Sequence, residues 1–183
     1  EVDGIISLAE DIRYNAKLNA LKKALSISFQ RQSEQGIHNK TVVFTESLRT
    51  QAYLFDELSA CGYGGKILLF NGNMNDQTTK EIYRAWRSRH YSMPVAGRSI
   101  EIKNAIVEAF RDEYQILLVT DSGSEGLNLQ FCNTVINYDL PWNPQRIEQR
   151  IGRCHRYGQK RDVMVINLLN TENIADRRVY EIL

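Results

Sequence analysis

The chain predicts an α/β fold of three layers, a mainly parallel sheet flanked by helices on both faces. Five short apolar runs, at 41–45, 66–70, 115–119, 134–138 and 163–169, recur with helical patterns between them. Several are continuous instead of alternating, as a strand buried on both faces requires. Strands alternating with helices imply right-handed crossovers, and so a parallel sheet covered on both sides.

The helices follow in order. Leu18, Leu21, Lys22 and Leu25 place one before the first strand. Ser47 suits the N-cap of a helix over 48–60, with Tyr53, Leu54 and Leu58 as its apolar stripe and Gly62 as its end. Asp76 suits the cap of a helix over 77–89, and Pro94 bars further helix. A helix over 103–110 buries Ile106, Val107 and Phe110. Asn143 followed by Pro144 gives the N-cap and first position of the next helix, which Gly158 suits as a terminator. Residues 174–183 read as a last helix, and 90–99, the least regular stretch, as a loop or insertion.

At 183 residues the chain is the size of one domain, and its 43% hydrophobic content is ample for a core. No apolar run approaches the roughly 20 residues that cross a bilayer, and no secretory segment opens the chain, so a soluble protein is expected. Cys61, Cys132 and Cys154 form no disulfide framework. Cys154-His155 is half of a metal site at most, with no second pair to complete four ligands, so no metal is expected. A reduced compartment, cytoplasmic or nuclear, fits this usage. The chain opens on Glu1 and stops inside an apparent helix, which reads as a piece of a longer protein.

The net charge of +1 excludes nothing, but the charge is unevenly placed. Arg146, Arg150, Arg153, Arg156, Lys160 and Arg161 stand between 141 and 161, opposed by Glu148 and little else. By composition this is either a solvated helix face or an anion site.

A nucleotide-hydrolysing core needs a G-x-x-x-x-G-K-[ST] loop and an acidic strand end. Gly64-Gly65-Lys66 imitates a fragment of such a loop, but Ala60 stands where the first glycine belongs and Ile67 replaces the hydroxyl residue. By itself this chain does not hold ATP in the P-loop manner. The run 115–119 leads instead into the small, polar and glycine residues of 120–130. That segment is either an ordinary strand-to-helix turn or a set of backbone amides for phosphate at the carboxyl edge of the sheet. After it come Gln149, Arg150, Arg153 and Arg156. Arginines three apart lie along one helical stripe and repel each other unless an anion sits between them, and the guanidinium fork matches phosphate oxygens. Three arginines so spaced, with glycines at 152 and 158 and downstream of the 120–130 loop, favour a phosphate site.

Thr120-Asp121, then Gly126-Leu-Asn128, then Gln149-Arg-Ile-Gly-Arg-Cys-His-Arg156 resemble the fifth and sixth signature motifs of superfamily 2 helicases, in order, and residues 42–45 with Ser47 resemble the fourth. Residues 155–159, with Tyr138-Asp139 and Trp142-Asn-Pro-Gln145, are similar to the Swi/Snf-type translocases. Ser124-Glu-Gly126, Asp139-Leu-Pro141 and residues 148–153 look like their bacterial branch, typified by the RNA-polymerase-recycling ATPase.

The resemblance implies a RecA-like fold over 1–183, the C-terminal of two lobes that hold ATP and Mg2+ between them, and hence an ATP-dependent helicase or translocase. It implies that Arg153 and Arg156 are arginine fingers, worth about 10³–10⁵ in rate in phosphoryl transfer. Gly126 and Asn128 would touch the ribose, and Gln149 and Arg150 would tie the segment to the nucleotide and the neighbouring loop. Nucleic acid, duplex DNA first among the candidates, would cross the opposite edge at Thr45, Ser47, Thr120 and Ser122, each of which also suits a helix cap or turn. The implied partners are the N-terminal lobe and RNA polymerase or another DNA-bound protein, in a bacterial, nucleoid-associated cytoplasm. Two features depart from the Swi/Snf pattern. Asp121 stands where arginine is common, as in strand-separating relatives, and 71–102 is longer than a minimal lobe needs. Two rivals remain, a nucleic-acid-binding module without motor function and a Rossmann-type enzyme. The latter lacks its glycine-rich turn at 45–48 and an acidic residue at 70–73.

Overall fold

The structure is a computed structural model that describes residues 15–92, 94, 97–157, 159 and 161–169. The expected terminator Gly158 and the expected helix over 174–183 lie outside those residues. The element order is α1 (Ala16–Glu34), β1 (Thr41–Phe44), α2 (Leu48–Leu58), β2 (Ile67–Phe70), α3 (Gln77–Arg89), α4 (Arg98–Asp112), β3 (Ile116–Val119), the single turn α5 (Asp121–Ser124), β4 (Thr134–Asn137), α6 (Pro144–Cys154) and β5 (Met164–Asn167).

All five predicted strands form, in one sheet of order β2-β3-β1-β4-β5 with every pair parallel. The central strand β1 pairs Val43 with Leu118 of β3 on one side and Ile136 of β4 on the other. Alternate strand residues feed two cores. Val42, Phe44, Leu68, Phe70, Leu117, Val119 and Val135 pack with Ile102, Ile106 and Phe110 of α4. Val43, Ile67, Ile116, Leu118 and Ile136 pack with Leu18, Leu21 and Leu25 of α1 and Leu54 and Leu58 of α2. Two buried faces explain the continuous apolar runs, and the sheet with its two helical layers makes the predicted three-layer α/β sandwich.

The helix caps form where the side chains allow. The hydroxyl of Ser47 accepts from the Thr50 amide at 3.4 Å, and the Asp76 carboxylate from the Thr79 amide at 2.8 Å. Two boundaries differ from expectation. Residues 59 and 60 leave the α-helix for a π turn over Ser59–Tyr63, closed by Gly62 at φ +93°. The fourth helix begins at Arg98, so Arg98 and Ser99 belong to it and not to a 90–99 loop. Its N-cap, Gly97, makes no side-chain hydrogen bond, so no capping residue announces that start. In it Val107 is half-buried, packed against the first core instead of inside it. No described helix is long and apolar enough to cross a membrane.

Candidate nucleotide and nucleic-acid site

The three central strands, β3, β1 and β4, run parallel and bring the loops that follow them to one carboxyl edge. Those loops hold Thr45 and Ser47, residues 120–130, and residues 138–143. Ligands bind at this edge of open α/β sheets.

After β3 the chain makes one tight turn. Thr120 Oγ1 accepts from the Gly123 amide at 3.2 Å and lies 3.1 Å from Ser122 Oγ, which in turn donates to the Asn71 carbonyl at 3.3 Å. Gly123 has no room for a side chain, because a Cβ would stand 2.5 Å from the Phe70 carbonyl oxygen. Gly126 adopts φ +78°, with the Lys103 ammonium 3.4 Å from where its Cβ would be. Asn128 is exposed just beyond. The loop is fixed to α6 by the Leu129 amide, which donates to the Arg153 carbonyl at 2.9 Å.

After β4 come Tyr138 and Asp139. Burial, and then the negative charge of Asp139, raise the Tyr138 phenol to about 12. Asn143 caps α6 by accepting from the Gln145 amide at 3.0 Å, with Pro144 as its first residue.

On α6 the arginines separate by role. Arg150 is 1% exposed and crosses the Phe44 ring at 5.1 Å. Its Nε and Nη2 donate to the two carboxylate oxygens of Asp121 at 2.6 and 2.8 Å, and its Nη1 donates to Asn137 Oδ1 at 3.1 Å and the Asp139 carbonyl at 2.7 Å. Four of its five N–H groups are therefore engaged inside the lobe. That geometry ties the arginine segment to the 120–130 loop and leaves little of Arg150 for a nucleotide. Arg146, exposed, lies 3.7 Å from Asp121.

Gln149 and Arg153 face a cavity of about 250 Å³, lined also by Ser122, Ser124 and Glu125. Arg153 is half-buried, and its Nε is buried without a hydrogen-bond partner. Arg156 lies beyond the end of α6, exposed and not among the lining residues of that cavity. The expected stripe of three arginines is thus broken by the end of the helix at Cys154. Cys154 is buried in the core, where its hydrogen bond with Cys132, and then burial, push its thiol well above the usual range; His155 is exposed.

Of the four hydroxyl residues, Thr45 is fully buried and donates to Asp139 Oδ2 at 2.6 Å. Ser47 and Thr120 cap helices, and Ser122 is exposed. They share one edge with Arg150 and Asp121, where the expectation had nucleic acid crossing an edge opposite the nucleotide. Asp139 stood inside the motifs and Arg146 in the basic cluster, both without a site role, and Lys103 and Gly123 were not singled out. For Asp139 the available signal was its place two residues beyond a buried strand.

Residues 94–158 match the helicase conserved C-terminal domain. An uncharacterized ATP-dependent helicase, YqhH, of Bacillus subtilis is 53% identical over 74 residues, 40% of this chain and 13% of the relative. A mouse SWI/SNF-related matrix-associated actin-dependent regulator of chromatin, subfamily A member 1, is 33% identical over 122 residues, 64% of this chain and 12% of the relative. The matches thus span about an eighth of the length of these relatives. The crystal structure of the C-terminal part of the Fun30 ATPase domain superposes with a TM-score of 0.67 at 21% identity, covering 93% of this chain and 45% of that one. The sheet order, the edge loops and these likenesses agree: residues 94–158 match a helicase C-terminal domain, and the chain is similar to the C-terminal, RecA-like lobe of Swi/Snf-type helicases.

Proposed function

We propose that this lobe completes the ATPase site of an ATP-dependent translocase on duplex DNA, presenting arginines to a nucleotide held mainly by an N-terminal lobe. One observation carries the reading. The buried Nε of Arg153 has no partner, on a guanidinium that faces a polar cavity of about 250 Å³. A buried donor without an acceptor is costly, and a phosphate oxygen is the acceptor that a guanidinium fork fits.

In this reading Arg153 stabilises charge on the transferring γ-phosphate, and Arg156 joins it when the two lobes close. Gly126 and Asn128 meet the ribose, and Gln149 faces the cavity with Arg153. Arg150 acts through the loop that it holds. Bound Mg2+ supplies charge neutralisation at the phosphates, with ligands from the other lobe. Thr45, Ser47, Thr120 and Ser122 lie along the path of the DNA backbone. Contacts of this kind, hydroxyls and amides on phosphate, carry no base sequence and suit a motor that steps along any of it. The likeness to the RNA-polymerase-recycling branch makes a DNA-bound polymerase a candidate obstacle or partner.

The test is ATP hydrolysis by the two-lobed protein with duplex DNA, single-stranded DNA or RNA of equal length. The expected result is strongest stimulation by the duplex. Strongest stimulation by a single strand would move the assignment to strand separation, with which Asp121 also agrees. No stimulation by any of the three would favour a binding module without motor function.

A further inference from the structure

Asp139 stands where three elements meet. Its Oδ2 accepts from Thr45 Oγ1 at 2.6 Å and from the Glu46 amide at 3.3 Å, and its Oδ1 accepts from Lys17 Nζ of α1 at 3.2 Å. Its main-chain carbonyl accepts from Arg150 Nη1 at 2.7 Å. One residue thus holds the loop after β1 with its side chain and the buried arginine of α6 with its backbone. The polar chain runs on from Arg150 to Asp121, between Thr120 and Ser122. Thr45 is fully buried while the Asp139 carboxylate is 27% exposed, and an O–H donor to a charged acceptor at this distance is of the strong kind.

We infer that Asp139 is a positioning residue that couples nucleic-acid contact at the exposed Glu46, in the loop after β1, to the placement of the arginine helix. The inference rests on the functional reading above and names the regulation of that site. A backbone phosphate arriving at this edge meets the exposed Glu46, whose amide Asp139 already holds. It also repels the Asp139 carboxylate. The two arrangements, the Glu46 amide on Asp139 or on phosphate, differ in free energy according to whether nucleic acid is present, which is the condition for coupling. Movement of the 139 peptide reaches Arg150 directly, and Arg153 lies one helical turn further along α6.

The test is the ratio of DNA-stimulated to basal ATP turnover in the two-lobed protein. This ratio does not change if a variant merely lowers the fraction of folded protein. Asp139→Ala is expected to lower it about tenfold, inside the range typical of coupling between sites. Asp139→Asn keeps an acceptor for Thr45 and is expected to recover most of the ratio. In a Thr45→Ala background, Asp139→Ala is expected to add nothing, because contacting residues in one network are not additive. A ratio for Asp139→Ala within about twofold of the unchanged protein, or additive losses in the double variant, would overturn the coupling. If the unchanged protein is not stimulated by any nucleic acid, the functional reading falls first and the coupling falls with it.

Discussion

Arg150 and Asp121 form a bidentate ion pair at 2.6 and 2.8 Å, with the guanidinium 1% exposed and backed by the Phe44 ring. Removing one partner of such a pair strands the other and costs about 3–5 kcal/mol. Arg150→Ala also leaves Asn137 Oδ1 and the Asp139 carbonyl without their donor. Urea denaturation is therefore expected to show a loss of that size for Arg150→Ala, and Arg150→Lys is expected not to restore it, since an ammonium cannot span both carboxylate oxygens. Arg153→Ala, half-buried with a free Nε, is expected to change stability by less than about 1 kcal/mol. Equal losses for the two arginines would contradict the division of roles on α6.

Two glycines of the motif segments are expected to respond to alanine with opposite signs. At Gly123 a Cβ would stand 2.5 Å from the Phe70 carbonyl oxygen and 2.9 Å from Asn71 Cα, both backbone atoms that cannot swing aside. Overpacking of this kind costs about 1–3 kcal/mol. At Gly152, inside α6, a Cβ would meet nothing within 4 Å, and alanine in a helix interior is better than glycine by about 0.5–1 kcal/mol. Thermal midpoints should fall for Gly123→Ala and rise for Gly152→Ala.

Tyr138 sets the alkaline limit of the fold in part. Its phenol is raised to about 12, by burial first and the Asp139 charge second, above the ordinary tyrosine value of about 10. A group that holds its proton more tightly when folded contributes stability that is complete below its unfolded pKa and is lost as pH rises to its folded one. The denaturation midpoint should therefore drop between about pH 10 and 12. Tyr138→Phe should flatten that drop, and an identical profile for the variant would rule out Tyr138 as its source.

The sheet was legible because both its faces are buried. Residues such as Val42, Val43 and Phe44 are fully buried in succession, as a central strand covered on both faces requires. Caps with a hydrogen-bonding side chain, Ser47, Asp76 and Asn143, also announced themselves, whereas Gly97 makes no such bond and its helix start was misplaced. The site was legible as a set of loops but not as a division of labour. Spacing put Arg150, Arg153 and Arg156 on one stripe. Which of them turns inward depends on Asp121, Asn137, Asp139 and Phe44, contributed by three different strands or their loops, and on the helix ending at Cys154. The same holds for Thr45, whose hydroxyl is engaged by a residue 94 positions away.

The proposed role of Arg153 is action on a nucleotide held mainly by the other lobe. Single-turnover hydrolysis by the two-lobed protein, at saturating Mg-ATP and duplex DNA, tests it most directly when paired with the ATP dissociation constant of the same sample. The expected result for Arg153→Ala is a rate lower by about 10³-fold or more with ATP affinity little changed. Hydrolysis at the unchanged rate, or a loss explained wholly by weaker ATP binding, would contradict it.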